Sequence, residues 1–195
     1  MLLVHGWRGH SAQLNGFIAP LSRSGFRVVA FDQPAHGRST GRRTNVLEMA
    51  EAVQAVAGAV GALHAVVAHS LGATASAIAL HDHLPADRAV LLAPPAEAPL
   101  FARALAATLG LSPERTEGMI AQVERDVGRQ LESFDVRNFA GWIRQPALVF
   151  HDVGDREVPF AHGRAIADAW PGATFVPLQG LGHRRLLADP GVIGE

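Results

Sequence analysis

The chain has 195 residues, 48% of them hydrophobic and 18% charged, which fits one domain with a sizeable core and excludes a disordered chain. Its formal net charge is −1 and its pI about 6.8, so it carries no basic surplus for nucleic acid or an anionic membrane. Cysteine is absent and all seventeen basic residues are arginine. This excludes disulfides, thiolate nucleophiles, Cys-based zinc sites, lysine Schiff bases and P-loop lysines, and it points to a GC-rich bacterial source.

Short β-branched runs alternate with longer helical patterns along the chain. That is the pattern of an α/β protein, a mostly parallel sheet with helices on both faces. The first strand is expected at Leu2–Val4, where the apolar run is too short and too poor in basic residues to be a signal peptide. A helix over Ala12–Arg23 follows, with Gly25 in the position of a C-cap glycine. Next come a strand at Arg27–Phe31 and a helix at Val46–Val60, which Asn45 and Glu48 open as a capping box.

The apolar region from Ala50 to Leu80 is interrupted by Glu51, Gln54, His64, His69 and several glycines. It therefore reads as helix, strand (Ala65–His69) and helix (Leu71–His81), not as a membrane span. The default location is the cytoplasm. Further strands are expected at Ala89–Leu92, Ala147–His151 and Thr174–Pro177, with a helix at Phe160–Ala169. Between the fourth and fifth strands, residues 94–145 read as a small helical, cap-like insertion within a single domain of residues 1–195. In it Ser112-Pro113-Glu114 starts a helix that runs to about Leu131. The final "ADPGVIGE" shows no closing helix.

Four stretches carry chemistry: "VHGWRGH" (Val4–His10), "AHSLG" (Ala68–Gly72), "HDVGDREVP" (His151–Pro159) and "GLGHRRLL" (Gly180–Leu187). Each falls at the end of an expected strand, where ligands bind in parallel sheets. Ser70 is either a helix cap or a nucleophile held on a strand-to-helix turn. A serine hydroxyl attacks only when a base takes its proton, histidine is the suitable base near neutral pH, and a carboxylate fixes its tautomer.

In this order, and with "FDQPAHGRS" (Phe31–Ser39), the motifs resemble those of the α/β-hydrolase superfamily, over Leu2 to about Leu187. The resemblance implies a serine hydrolase in which Ser70 attacks, His183 is the base and Asp155 is the acid, in the family's chain order. Ala68 departs from the family pattern, standing where G-x-S-x-G has its first glycine. Asp155 takes precedence over Asp152 and Glu97 because Val158-Pro159 sets the register of its segment. The oxyanion donors implied are the backbone N–H groups of Leu71 and Trp7.

Trp7 and His5 in the first loop, and Phe101 in the cap, are the substrate-binding candidates. Leu100, Leu105, Leu109 and Phe134 give the cap an apolar character that suits either an apolar substrate group or packing of the cap itself. His5 and His36 match family histidines that brace the site. His69 precedes the nucleophile in a strand, so alternation sends its side chain the other way, to packing beside the turn. No histidine pair has convincing metal-ligand spacing, His151 with Asp152 and Asp155 being the nearest set.

The expected reaction is hydrolysis of a small carboxylic ester through an acyl-enzyme, with no cofactor, metal, nucleic acid or membrane partner. A peptidase or thioesterase of the same fold, or a non-catalytic ligand binder, are the alternatives, and the oligomeric state is open. Both ends read as clipped relative to the family, so lower stability than that of a longer chain is expected.

Overall fold

Six strands account for the apolar runs: β1 (Leu2–Val4), β2 (Val29–Phe31), β3 (Val66–His69), β4 (Ala89–Leu92), β5 (Ala147–Asp152) and β6 (Ala173–Leu178). In the computed structural model, which describes residues 1–194 with the side chains of Ala98, Leu100 and Phe101 excepted, they form one sheet in the order β2-β1-β3-β4-β5-β6. Every neighbouring pair is parallel. The chain runs outward from β1 in one direction to β2 and in the other to β3. This makes the crevice between β1 and β3 the switch point of the sheet, where such folds bind ligands.

Both faces of the sheet are covered, and strand alternation assigns the residues to them. Leu2, Val4, Val66, Ala68, Leu91 and Val149 pack toward one face, with Met49 and Val53 of α2 (Val46–Val60) and Ala77 of α3 (Leu71–His81). Leu3, Val67, Leu92 and Phe150 pack toward the other, against Phe17 of α1 (Asn15–Arg23), Leu186, Leu187 and Val192. In α3 every residue from Leu71 to Leu80 is buried, which its small side chains permit. The Gln54 side-chain amide donates to the carbonyls of Ala79 and Asp82, closing the C-terminal end of α3 from α2.

The remaining helices are α4 (Ala98–Thr108), α5 (Pro113–Val127), α6 (Phe160–Ala169), α7 (Gly182–Arg185) and α8 (Pro190–Gly194). The spacing-based limits of α2, α3, α6 and β4 coincide with the observed ones. At the first helix, the expected start at Ala12 gives way to a 3-10 turn over Ser11–Leu14, and α1 begins at Asn15. The helix opened by Ser112 ends at Val127, where Gly128 takes a left-handed φ of 71°, and residues to Phe134 continue as a separate 3-10 turn. The tail expected to lack a helix forms α8, capped by Asp189 through the N–H groups of Gly191 and Val192.

The segment between β4 and β5 is anchored to the layers beneath it. Thr74 of α3 donates its hydroxyl to Pro95 O at 2.7 Å, and the Ala96 N–H donates to His162 Nδ1 of α6 at 3.0 Å. That bond requires a neutral His162, and burial lowers its pKa accordingly.

Candidate active site

Ser70 directly follows β3 and occupies the N-cap position of α3, yet its side chain makes no capping bond. Its backbone sits at φ 52° and ψ −129°, a region that L residues rarely adopt. Small neighbours make this turn possible. A Cβ on Gly72 would lie 2.3 Å from His5 O, and one on Gly6 would lie 2.8 Å from Ser70 Cβ. The loop after β1 and the turn after β3 are thus pressed together backbone to backbone. Ala68, where the motif has glycine, is fully buried in β3 without disturbing the turn.

The Ser70 hydroxyl turns away from its helix and toward His183. Ser70 Oγ lies 3.0 Å from His183 Nε2, and His183 Nδ1 lies 2.7 Å from Asp155 Oδ2. A carboxylate can only accept here, so Nδ1 carries the proton and Nε2 is left to accept from the serine. Residues 113 and 28 positions apart in the chain are joined in one line.

Asp155 is held from every side. Its Oδ1 accepts the N–H groups of Glu157 and Val158 at 2.8 and 2.9 Å, and His151 Nε2 lies 3.4 Å from Oδ2. Burial pushes its pKa up. The hydrogen bonds from His151, His183 and Val158 outweigh that and hold the carboxyl well below the usual carboxylate range, so it stays ionised.

Asp152, one turn earlier, is fully buried and does not join this line. Its Oδ1 accepts from Gly154 N–H at 2.8 Å and its Oδ2 from Leu181 N–H at 2.7 Å. It ties the loop after β5 to the loop that delivers His183. Glu97 is placed elsewhere, paired with Arg137 at 2.9 Å.

His69 does more than pack beside the turn. Alternation sends its ring to the face of Val67, as expected, but the His183 loop lies on that face. His69 Nε2 lies 2.8 Å from His183 O, and the two rings are 4.7 Å apart. Burial and the neighbouring His183 push its pKa down to about 3, so it stays neutral and donates an N–H that fixes the His183 main chain. The clue in the sequence was its place beside Ser70; the partner came from 114 residues away.

His5 is fully buried and lies outside the cavity above Ser70, which corrects its assignment to substrate binding. One ring nitrogen lies 2.8 Å from Gly6 O and the other accepts the Gln33 N–H at 2.9 Å. Both faces of its chemistry are used to brace the first loop against the loop after β2. His36 does the same, accepting the Arg8 N–H at 3.0 Å while its Nδ1 lies 2.9 Å from Pro34 O.

A cavity of about 750 Å³ opens over Ser70 and His183, with Trp7 in its wall. Ala104, Leu105 and Thr108 of α4 form part of its lining. Leu109 is 62% exposed and Phe134 is buried in the core, so these two serve solvent and packing respectively. The side chain of Phe101 lies outside the described residues. Trp7 N–H belongs to the loop held against Ser70, and Leu71 N–H heads α3, where the first turn leaves N–H groups without intrahelical partners.

No helix of the described residues is long and apolar enough to cross a membrane. No curated protein matches the sequence. Among solved structures, the monoacylglycerol lipase of Paleococcus ferrophilus is 22% identical with a TM-score of 0.73, over 95% of this chain and 86% of that one. An N-acyl homoserine lactone degrading enzyme superposes with a TM-score of 0.76 at 19% identity, over 97% and 88%. An esterase of Pyrococcus furiosus does so at 0.69 and 19%, over 95% and 74%. A family profile described as the alpha/beta hydrolase fold matches residues 1–139, which carry the first loop and the Ser70 turn. With its parallel sheet and its Ser70 turn, the chain belongs to the α/β-hydrolase fold family.

Proposed function

We propose that this protein is a serine hydrolase that cleaves carboxylic esters through an acyl-enzyme on Ser70. The observation that carries the reading is the unbroken line Ser70 Oγ, His183, Asp155, with contacts of 3.0 and 2.7 Å at the floor of a cavity. Several structural neighbours are lipases or esterases, which favours an ester over other acyl substrates.

In this mechanism Ser70 Oγ attacks the ester carbonyl while its proton passes to His183 Nε2. The new negative charge develops on the carbonyl oxygen, where the N–H groups of Leu71 and Trp7 receive it and the N-terminal end of α3 adds its positive dipole. The carbon–oxygen bond to the alcohol then breaks, and His183 returns the proton to the leaving oxygen. A water, deprotonated by His183, repeats the cycle on the acyl-enzyme, releasing the acid and restoring the Ser70 hydroxyl. Asp155 remains ionised throughout and stabilises the imidazolium formed twice per turnover.

The test is a panel of 4-nitrophenyl esters of increasing acyl length, with Ser70→Ala beside the wild type and fluorophosphonate labelling of both. Turnover and a Ser70 adduct are expected in the wild type, and both are lost in the variant. Turnover that persists in Ser70→Ala sinks the proposal.

A further inference from the structure

Trp7 and Arg8 line two cavities at once. Beyond the one over Ser70 lies a second hollow of about 350 Å³, walled by Arg8, Arg42 and Arg43 together with His36, Gly37 and Thr44. Among the described residues, no carboxylate lines it. Elsewhere in the molecule Arg103, Arg137, Arg164 and Arg184 each meet an acidic partner. The guanidinium groups of Arg8, Arg42 and Arg43 meet none among the described residues, and no side-chain hydrogen bond engages them. Single solvated arginines are ordinary on a surface; three converging on one small hollow, in a chain of net charge −1, are not.

The local backbone points the same way. Arg8 sits at φ 55°, in the left-handed region where glycine or asparagine is the usual choice. It is held there by its own N–H, which donates to His36 Nε2. Because that nitrogen accepts, His36 Nδ1 is the ring atom that donates, to Pro34 O at 2.9 Å. The Trp7 indole meets the same ring edge-on at 5.2 Å. Arg8 thus holds a strained backbone position beside Trp7, which lines both hollows.

In the Ser70 cavity, Arg184 is paired with Glu157 at 2.8 Å, while Arg156 lines the wall without a carboxylate partner among the described residues. The two hollows, which meet at Trp7 and Arg8, therefore carry an excess of arginine over carboxylate among the described residues. Like charges gathered around one concavity repel each other, and an anion that each guanidinium can grip through paired N–H donors relieves this.

We infer that the hollow walled by Arg8, Arg42 and Arg43 is a subsite for a carboxylate or phosphate group on the substrate cleaved at Ser70. The inference rests on the hydrolase reading proposed above. It narrows the substrate from a neutral ester to one whose acyl or alcohol part ends in an anion, reaching past Trp7.

The experiment compares 4-nitrophenyl valerate with 4-nitrophenyl hydrogen glutarate, which places a carboxylate at the end of an acyl chain of the same carbon count, and methyl 4-acetoxybenzoate with 4-acetoxybenzoate, which places it on the alcohol. A charge-assisted contact is worth about 1.5–3 kcal/mol, so a preference of roughly 10- to 100-fold in kcat/KM is expected for one anionic ester over its neutral partner. Arg42→Ala/Arg43→Ala lowers that ratio about tenfold or more, and Arg42→Lys/Arg43→Lys, which keeps charge but loses the fork, falls between. Competition by glutarate and by glycerol 3-phosphate tells a carboxylate site from a phosphate site.

A wild type that prefers neither anionic ester, or a ratio unchanged in the alanine pair, overturns the subsite. If Ser70 is labelled by fluorophosphonate in that case, the hydrolase reading stands without it. If neither labelling nor turnover occurs, that reading falls, and titration calorimetry with glutarate and glycerol 3-phosphate reads the subsite alone. Binding that the alanine pair abolishes then sustains the anion site, and no binding of either anion overturns it.

Discussion

The loops on either side of Ser70 treat charge in opposite ways. On the side built by the loops after β5 and β6, Asp152, Asp155, Glu157 and Arg184 all find partners within the protein. On the side built by the loops after β1 and β2, Arg8, Arg42 and Arg43 line a neighbouring hollow that has no carboxylate among its described lining residues. Apart from Arg156, the charges of the first side are paired before any substrate arrives, as preorganised acid–base chemistry requires. The second is completed only by something from outside. On the proposed function, the difference separates the part of the site that would perform the reaction from the part that would select what reacts.

Mutations on the first side sharpen this contrast, and the largest effect is expected at Asp155. In Asp155→Asn the amide can no longer take the Nδ1 proton of His183 as a carboxylate does. The tautomer needed by Ser70 is lost, and kcat falls by about 10⁴-fold with little change in fold. A steady-state measurement on 4-nitrophenyl esters checks this; a loss below tenfold would show that the line from Ser70 to Asp155 is not the working one.

Gly72→Ala comes next. Its Cβ would lie 2.3 Å from His5 O, so the first loop must move away from the Ser70 turn. The expected cost is about 1–3 kcal/mol of stability from overpacking, with activity down by roughly 10²-fold as the oxyanion donors separate. Denaturant melts and ester kinetics read the two effects apart.

Asp152→Asn is expected to act through position alone. One of its two acceptors becomes a donor, so either Gly154 N–H or Leu181 N–H loses its partner. A buried donor left unmade costs about 1–3 kcal/mol. The His183 loop loosens, and kcat drops by about 10- to 100-fold while KM for a neutral ester stays near its original value.

The effect expected to leave activity near neutral pH least changed is a pH slope in stability. The folded His69 has a pKa near 3 against 6.5 when unfolded, and burial lowers His5 and His162 as well. Between those values the unfolded chain binds more protons than the folded one, so stability falls as pH falls below about 6.5. Asp32 adds a second loss. Its pKa is lowered to about 2 by the Ser11 and Arg38 N–H groups, and its contribution is lost as pH falls from 3.8 through that value. Urea melts from pH 7 to pH 3 should show His69→Gln flattening the upper part of this slope by one proton's worth, and an unchanged slope would place the uptake elsewhere.

Where a physical signal is local, the elements were legible in the chain. Asn45 and Glu48 mark the start of α2, and its Asn45 side chain accepts from the N–H groups of Leu47 and Glu48 as a cap should. The small-residue run after Ser70 marks α3. Short elements escaped: the five residues of α8 are too few for a periodic pattern, and the 3-10 turn before α1 shares the composition of the helix it precedes. At the site, Ser70, His183 and Asp155 were readable because their loops follow strands in a recognisable order. Asp152 and His69 were not assigned their contacts, because each bonds to main chain delivered from the far end of the sequence.

The sequence by itself determined which residues carry reactive groups and on which strand ends they sit, since strand alternation, caps and tight turns are decided by neighbours within a few positions. Only the tertiary structure decided which of those groups meet. The sheet order brings β1, β3, β5 and β6 to a common rim, so that a histidine delivered after β6 reaches a serine after β3, and arginines from two separate loops share one hollow. Contacts across more than a hundred residues follow from the order of strands in space, and no local rule contains that order.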